Sequence, residues 1–427
     1  MAERAAGGSG PTGGAGPLRI QVLNQIASIG LSRLPVDRYE CGTNFEAPDA
    51  ILLRSADLHP SPIARSVKAI GRAGAGTNNI PVAAMTARGV PVFNAPGANA
   101  NAVKELVLAG MLLAARRIPP ALGFVAGLAG IDNRAAGGGA SGDARGDKSL
   151  DTLVEAGKKA FAGYELAGKR LGVIGLGRIG CLVADAAIRL GMEATGFDPD
   201  ITVEAAWSLP SQVRRASSVA DLVRSSDFVT VHVPLVDATR HLIDATKLAT
   251  MRHGAVLLNF SRDGIVDVDA VLGSMAAGQL GWYVCDFPEP ALLGHPNVIA
   301  LPHLGASTRE AEENCAVMVV DQVRDYLENG NVRHSVNFPE TIAVRESDYR
   351  IAIANANVPN MLGQISTAMA QADLNIHNML NRSRGELAYT LVDVDSPVPS
   401  GVIAALSSIE GVLSVRYLEA SPGVGPV

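Results

Sequence analysis

Cysteine is scarce in this chain of 427 residues, and the four cysteines show no paired spacing. They are Cys41, Cys181, Cys285 and Cys315. This pattern excludes a disulfide framework and a cysteine-based zinc site, and it predicts reduced thiols in a cytoplasmic protein. No bound metal is expected.

Excess positive charge and long apolar runs are also missing. The chain carries 36 basic and 42 acidic residues, a formal net charge of -6, so it lacks the basic footprint of a nucleic-acid-binding protein. The best apolar run, residues 106–115, is too short to span a membrane and has charged neighbours, so no membrane partner is expected. The first residues show no basic segment followed by an apolar core, so no secretory signal is predicted.

The most informative stretch covers residues 170–198, where a predicted buried strand runs into a G-x-G-x-x-G motif. Gly175 allows a tight turn, Gly177 lets the backbone approach a pyrophosphate, and Gly180 lets the following helix pack closely. The motif alone also fits glycine-rich turns of other α/β proteins. The helix, the second strand and the acidic Asp198 that follow favour a dinucleotide site. Asp198 would accept hydrogen bonds from the adenosine ribose and repel a 2′-phosphate, which favours NAD over NADP.

Strand and helix patterns alternate on both sides of this motif, which predicts an α/β protein with two doubly wound parallel-sheet domains. Residues 1–17 are predicted to be a disordered extension. Residues 18–117, completed by 307–335, are predicted to form a substrate-binding domain. Residues 118–306 are predicted to form a six-stranded Rossmann NAD-binding domain with a Gly-rich insertion at 127–147. Residues 347–427 follow a βαββαβ pattern, predicting a small separate domain.

Three polar residues, Arg262, Glu289 and His303, follow three successive predicted strands of the cofactor half. Carboxyl ends of parallel strands share one edge of a sheet, so these side chains are expected to converge there. A histidine suits proton abstraction near neutral pH, a carboxylate can orient it, and an arginine can bind a substrate carboxylate. Each residue alone is more simply explained as structural or solvated, whereas their joint placement favours catalysis.

At this point the sequence resembles the D-isomer-specific 2-hydroxyacid dehydrogenases, from about residue 19 to the C-terminus. The resemblance rests on six motifs: Gly-Arg-Ala-Gly-Ala-Gly at 71–76, Asn-Ala-Pro-Gly at 94–97, Gly-Leu-Gly-Arg-Ile-Gly at 175–180, Arg-Asp-Gly-Ile-Val-Asp at 262–267, Asp-Phe-Pro-Glu-Pro at 286–290 and Pro-His-Leu-Gly-Ala-Ser-Thr at 302–308.

The resemblance implies a catalytic set and two binding sets. Arg262 is expected to bind substrate, Glu289 to partner the histidine, and His303 to act as acid and base. NAD contacts are expected, beside the three motif glycines, from Arg178, Ile179, Asp198, Val233, Pro234, Phe260, Asp286 and His303. Phosphate or carboxylate groups of the substrate are expected at Arg54, Arg72, Gly74 and Asn94.

Two features depart from the family pattern. Asp-Phe-Pro-Glu-Pro is shorter than the usual Asp-Val-Phe-x-x-Glu-Pro, and Asp263 stands where the family usually has glycine. The C-terminal domain resembles an ACT regulatory domain, and Asn355, Asn357 and Asn375 match its effector motif. These residues predict L-serine as an effector; a dimerisation domain without an effector is the alternative.

The resemblance implies NAD-dependent oxidation of 3-phospho-D-glycerate to 3-phosphohydroxypyruvate, the first step of L-serine biosynthesis. The substrate would be a small phosphorylated 2-hydroxy acid, and the protein is expected to form a homodimer or homotetramer. A hydroxypyruvate or glyoxylate reductase is the close alternative. An NAD-binding sensor or corepressor without physiological turnover is the alternative from another class.

Overall fold

A computed structural model describes residues 16–128 and 150–419 of the chain. Most of the predicted N-terminal extension and of the predicted Gly-rich insertion lies outside the described residues. The chain divides into two compact units, Met1–Ala98 with Glu312–Val427 and Asn99–Ala311. The predicted domain boundaries stay predictions, and each unit is described by itself below.

The first unit contains a five-stranded sheet that is parallel throughout. The strand order is β2-β1-β3-β4-β5, and the two short helices between the strands are α1 and α2. The bounds are β1 Leu18–Val22, α1 Ser28–Leu31, β2 Tyr39–Gly42, β3 Ala50–Leu53, β4 Ala69–Arg72, α2 Val82–Ala87 and β5 Val92–Phe93. All four residues of β3 are buried, as expected for a central strand covered on both faces.

The second unit contains a seven-stranded parallel sheet of order β12-β11-β10-β9-β6-β7-β8. Its strands are β6 Arg170–Ile174, β7 Glu193–Phe197, β8 Arg214–Arg215, β9 Phe228–Val231, β10 Ala255–Asn259, β11 Leu280–Cys285 and β12 Val298–Ala300. Six of them match the predicted strands, and β8 is an additional edge strand. The order reverses direction between β6 and β9, the point where such sheets bind ligands.

The described part of this unit contains eight helices. They are α3 Ala100–Ala115, α4 Ile118–Leu128, α5 Leu150–Gly157, α6 Arg178–Arg189, α7 Val203–Ser208, α8 Val219–Ser225, α9 Ala245–Thr250 and α10 Val268–Ala276, with short 3-10 turns at Lys158–Phe161, Asp237–Thr239 and Pro290–Leu292. Helix α3 packs against α6 and the sheet through Val107, Met111 and Ala114. Among the described residues, no single helix is long and apolar enough to cross a membrane. By length and composition alone, α3 and α4 pass that test only as a pair, bent by 65°.

The long helix α11, Arg309–Asn329, leads from the end of the second unit's sequence into the first unit. Beyond it lies a four-stranded antiparallel sheet of order β14-β15-β13-β16. Its elements are β13 Tyr349–Ala356, α12 Met361–Gln371, β14 Ile376–Arg384, β15 Leu387–Val394, α13 Ser400–Ser407 and β16 Val412–Glu419, the predicted βαββαβ succession. The predicted α/β fold class is thereby confirmed.

Side chains of this C-terminal sheet and of the segment before it cap the carboxyl end of α11. The last carbonyls of a helix have no partners within the helix. Here the carbonyl oxygens of residues 326–330 accept hydrogen bonds of 2.9–3.3 Å from four side chains. The donors are Arg345, Arg350, Arg416 and Tyr389. One face of the sheet also shares a core with the first unit's parallel sheet, through residues such as Tyr389, Leu391 and Phe338.

Arg350 is the most deeply buried of these donors, with no exposed surface. Its guanidinium makes a two-pronged ion pair with the carboxylate of Asp393, 2% exposed, at 2.5 and 2.8 Å. It also donates to the carbonyls of Asn329, Ala343 and Val344. Burying such a charge is costly unless its hydrogen-bonding capacity is filled, and here the donors are paired.

Candidate active site

The turn between β6 and α6 fits a dinucleotide phosphate. Gly175 has φ +90°, and a Cβ there would lie 2.5 Å from the carbonyl oxygen of His232, so only glycine is accommodated. A Cβ on Gly180 would lie 2.0 Å from the carbonyl oxygen of Gly175, which explains the close approach of helix and turn. Gly177 has open space beside it, and in the part of the chain that the structure describes no side chain caps the N-terminus of α6. The free N–H groups and the open approach suit the pyrophosphate of NAD.

The carboxylate of Asp198 is tied to this turn. Its Oδ2 accepts from the backbone N–H of Leu176 at 2.8 Å, and its Oδ1 accepts from that of Asp200 at 3.0 Å. The side chain therefore fixes the glycine-rich turn as well as standing at the predicted ribose position. The exposed Arg178, at the start of α6, pairs with Glu204 at 3.6 Å.

The other predicted cofactor residues fall into two kinds. Val233 lies against the turn, with its Cγ1 2.9 Å from the position of a Cβ on Gly175, and Pro234 is exposed next to it. Ile179 and Phe260 instead direct their side chains into the core of the unit. Phe260 is 5% exposed and packs near Gly110 of α3, so its side chain serves the core.

Arg262 lies in a loop at the carboxyl end of β10 that a buried asparagine holds in place. Asn259, 1% exposed, donates from Nδ2 to the carbonyl of Arg262 at 2.8 Å and accepts from the N–H of Ser261 at 3.1 Å. The hydroxyl of Ser261 donates to the carbonyl of Val231 on the neighbouring strand. The loop backbone is therefore fixed, while the guanidinium of Arg262 is exposed and, among the described residues, bonds only to the carbonyl of Ser261.

His303 occupies a loop that Asp286 clamps with three hydrogen bonds. The Asp286 carbonyl accepts from the N–H of His303 at 3.1 Å. Its carboxylate accepts from the N–H groups of Leu304 at 2.6 Å and Gly305 at 2.7 Å. His303 has φ +55°, a backbone conformation that a non-glycine residue adopts only when its surroundings impose it. Asp286 supplies that constraint.

Asp286 is almost completely buried, at 1% exposure. Burial raises the pKa of its carboxyl, while the two backbone donors and the charge of His303 act to lower it. The ring of His303 contacts Phe287, with 5.0 Å between ring centroids and 60° between planes. Asp286 and His303, predicted here from separate motifs, are therefore direct neighbours.

Glu289 is placed differently from the predicted pairing. It stands before the Pro290–Leu292 turn, and within the described part of the chain it makes no hydrogen bond to His303. The charge of Glu289 acts on the neighbouring Cys285. Burial raises the pKa of the Cys285 thiol to about 11, and the charges of Asp286 and Glu289 add to that rise. The role of Glu289 as partner of the histidine stays a prediction.

The four predicted substrate residues of the first unit share the carboxyl edge of β3, β4 and β5. Arg72 donates from Nε to the carbonyl of Arg54 at 3.1 Å. Gly74 links the two neighbouring loops, because its N–H donates to Arg72 and its carbonyl accepts from Ala95. Asn94 donates to the carbonyl of Ala75 at 2.6 Å. These contacts bring the four residues onto one edge, as the sequence predicts.

The three predicted effector residues do not meet within one copy of the chain. Asn355 is the penultimate residue of β13, and Asn357, just after the strand, donates a hydrogen bond to the carbonyl of Gly385. Asn375 precedes β14, whose first residue pairs through Val394 with Tyr349 at the other end of β13. The separation is most of a strand, on the order of 20 Å. A site built from all three residues therefore requires more than one copy.

Three residues with evident roles escaped the sequence analysis: Asn259, His232 and Glu312. Asn259 holds the Arg262 loop, and its place at the end of a predicted strand is a usable signal. His232 adjoins the glycine-rich turn, where burial lowers the pKa of its imidazole to about 3. Its Nδ1 is buried without a partner among the described atoms, and its Nε2 lies 2.9 Å from Thr230 Oγ1. Glu312 pairs with Arg54 from a distant part of the sequence, which no local pattern reveals.

Comparison with known proteins decides the family. Residues 143–305 match the family model described as "D-isomer specific 2-hydroxyacid dehydrogenase, NAD binding domain". The chain is 32% identical over 355 residues to a D-3-phosphoglycerate dehydrogenase of Haemophilus influenzae, covering 80% of this chain and 79% of that protein. The chain belongs to the D-isomer-specific 2-hydroxyacid dehydrogenase family.

Two further comparisons agree with this assignment. A D-3-phosphoglycerate dehydrogenase of Synechocystis is 36% identical over 331 residues, 75% of this chain and 54% of that protein. The crystal structure of an NAD⁺-bound 3-phosphoglycerate dehydrogenase of Entamoeba histolytica matches 75% of this chain and 99% of its own, with TM-score 0.56 and 23% identity. That structural likeness shows the fold. The predicted enzyme class and the predicted cofactor, NAD, are confirmed by family membership.

Proposed function

We propose that this dehydrogenase oxidises 3-phospho-D-glycerate to 3-phosphohydroxypyruvate with NAD, as the entry to L-serine biosynthesis. The observation that carries the chemistry is the clamped His303 loop at the edge of the NAD-binding sheet. The substrate is supported by the names of the curated relatives and by the paired arginines at the edge of the first sheet. Both arginines are suited to phosphate.

The residues have separate tasks in this proposal. His303 takes the proton from the C2 hydroxyl oxygen of the substrate, and Asp286 keeps the imidazole in place by holding its loop. Arg262 binds the substrate carboxylate and polarises the reacting oxygen. NAD, when bound on the α6 N-terminus, supplies the hydride acceptor.

Binding of the other end of the substrate is assigned to the first unit. Arg54 and Arg72 bind the phosphate in this proposal, with Gly74 and Asn94 shaping the same loops. Glu289 is proposed to stabilise the protonated histidine. This role requires a change in the side-chain conformation of Glu289. Its present contacts do not reach His303.

The test is NADH formation at mildly alkaline pH with 3-phospho-D-glycerate, D-glycerate, D-lactate and D-2-hydroxyglutarate. Activity confined to the phosphorylated acid supports the proposal. Equal or better activity on unphosphorylated acids would move the protein to the general 2-hydroxyacid reductases. NADH binding without turnover of any of the four would favour the sensor function instead.

A second copy of the chain is part of the proposal. Helix α4 contains no charged residue and has no buried residue, and Leu122 and Val125 are 64% and 56% exposed. Apolar helices that face water are typical of surfaces covered by a partner. We expect a homodimer, and Leu122→Glu with Val125→Glu should lower the mass measured by light scattering to that of one chain. An unchanged mass would exclude this face.

L-serine is the proposed effector, bound where two C-terminal sheets bring Asn355 and Asn357 of one copy to Asn375 of another. Pairing of this kind would extend the dimer to a tetramer. Adding L-serine to the same assay tests it. Inhibition that disappears in Asn357→Ala supports the site, and full activity at saturating serine leaves the sheet as a dimerisation domain.

A further inference from the structure

Glu312 forms an ion pair with Arg54, one of the two arginines at the carboxyl edge of the first sheet. The distance from Arg54 Nη1 to Glu312 Oε1 is 2.7 Å. Arg54 directly follows β3 and Glu312 lies in the first turn of α11, so the contact joins segments 258 positions apart in the sequence. Both side chains are partly exposed, at 34% and 45%, so an arriving anion can reach the pair.

The backbone of Arg54 is fixed independently of this pair. Its carbonyl oxygen accepts from Arg72 Nε at 3.1 Å and from Asn79 Nδ2 at 3.2 Å, and Asn79 also donates to the carbonyl of Ala56. Removal of the Glu312 carboxylate would therefore leave the loop in place. It would change only the charge that faces the guanidinium.

The buried thiol of Cys315, one turn after Glu312, is influenced by all three of these charges. Burial raises the pKa of the thiol, Arg54 and Arg72 act to lower it, and Glu312 acts to raise it. Two positive groups and one negative group thus surround the same position on α11. The Glu312 carboxylate offsets part of the attraction that the arginines exert on an anion.

We propose that Glu312 is a specificity-determining residue: it is the counter-ion of Arg54, and it weakens the binding of a substrate's anionic end in proportion to that end's charge. The inference rests on the proposed function, in which Arg54 binds the phosphate. Repulsion between Glu312 and a ligand grows with the ligand's charge. A phosphate group, which itself carries nearly two negative charges, is repelled most by Glu312. A carboxylate is repelled less, and an uncharged hydroxymethyl group is not repelled.

The experiment compares the wild-type protein with Glu312→Gln, which keeps the side-chain length and removes the charge. The probe is inorganic phosphate, with its affinity measured by calorimetry on the NAD-saturated protein at low ionic strength. We expect Glu312→Gln to bind phosphate about threefold to tenfold more tightly, an effect that shrinks with added salt. Glu312→Asp, which keeps the charge, should stay within about twofold of wild type.

A matched control lies on the same helix. Asp321 pairs with Arg33 at 2.5 Å, and both side chains are similarly exposed, at 39% and 47%. Asp321→Asn makes the same change of charge away from the β3 edge, so it should leave phosphate affinity unchanged. In an Arg54→Gln background, Glu312→Gln should no longer change the affinity for phosphate, because the residue that it pairs with is gone. This double-mutant cycle measures the coupling between the two positions.

Kinetics supply the second readout. Glu312→Gln should lower KM most for 3-phospho-D-glycerate, less for D-2-hydroxyglutarate, and not for D-glycerate. Unchanged or weaker phosphate binding in Glu312→Gln, or an equal gain in Asp321→Asn, would overturn the inference. Failure of the proposed function looks different: the wild-type protein would not oxidise 3-phospho-D-glycerate, whereas the gain in phosphate affinity would persist.

Discussion

Arg350 and Asp286 are both buried, charged side chains that bond backbone groups, yet their surroundings differ. Arg350, in the C-terminal sheet, has the Asp393 carboxylate and three carbonyls as partners, so its charge is compensated. Asp286, in the NAD-binding unit, bonds two N–H groups, and burial raises the pKa of its carboxyl. The first arrangement stabilises a junction. The second holds the backbone of the His303 loop through Leu304 and Gly305 and does not engage the imidazole.

The largest effect is expected at the histidine itself. His303→Asn removes the proposed base, and turnover should fall by about 10²–10⁴-fold. NADH affinity should change little, because Asp286 still holds the loop backbone. Steady-state kinetics and a fluorescence titration with NADH measure the two quantities. Turnover at the wild-type rate would remove His303 from the mechanism.

The compensated pair should show its effect in stability. Arg350→Met removes the paired guanidinium from the buried Asp393 carboxylate, which should cost about 3–5 kcal/mol of unfolding free energy. Removing both charges, as in Arg350→Met with Asp393→Leu, should recover much of that loss. Urea unfolding of the three proteins checks the comparison. A double variant as unstable as the single one would show that hydrogen bonds to the carbonyls, not charge pairing, dominate.

Asp286→Asn tests the other side of the comparison. The N–H groups of Leu304 and Gly305 bond different oxygens of the carboxylate, and the amide replaces one of these oxygens by an NH₂ group, so one donor loses its partner, at about 1–3 kcal/mol. The histidine loop should loosen, and kcat should fall by about tenfold or more while the KM for NAD changes less. If kcat is unchanged while stability falls, Asp286 is structural only.

An effect that is absent at neutral pH and grows in acid is expected at His232. Burial lowers the pKa of its imidazole to about 3, whereas the unfolded chain has the ordinary value near 6.5. The unfolded state therefore binds the proton first, and stability is lost as the pH falls below about 6.5, by up to about 1.4 kcal/mol per pH unit. Urea unfolding between about pH 4 and 7 should show a shallower acid limb in His232→Gln. The exposed His253→Gln is the control for loss of an imidazole, and an unchanged slope in His232→Gln would contradict the assignment.

Much of the fold followed from local patterns, since strands such as Ala50–Leu53 and Ala255–Asn259 have the predicted bounds. The edge strand Tyr39–Gly42 was missed because it is short, half exposed and contains cysteine and glycine. The glycine-rich turn was predictable because Gly175 and Gly180 each answer a local steric need.

The contacts within the site were less predictable. The Asp286 clamp on residues 303–305 depends on two loops meeting after separate strands, and the Arg54–Glu312 pair joins distant segments. The effector motif shows the converse: Asn355 and Asn375 are only 20 positions apart, yet the antiparallel strands place them at opposite ends of a sheet. Sequence motifs identify residue types, and tertiary packing decides which of them meet.

The cap on the carboxyl end of α11 has a consequence for biosynthesis. Arg416 follows the carbonyl it caps at Tyr326 by 90 residues, so a ribosome must synthesise all of the intervening C-terminal sheet before that helix end is satisfied. The first parallel sheet packs on the same helix and is translated early. Its unit is therefore complete only after the last strand has been synthesised. Nascent chains that stop before residue 416 should remain open to proteases and chaperones at this junction.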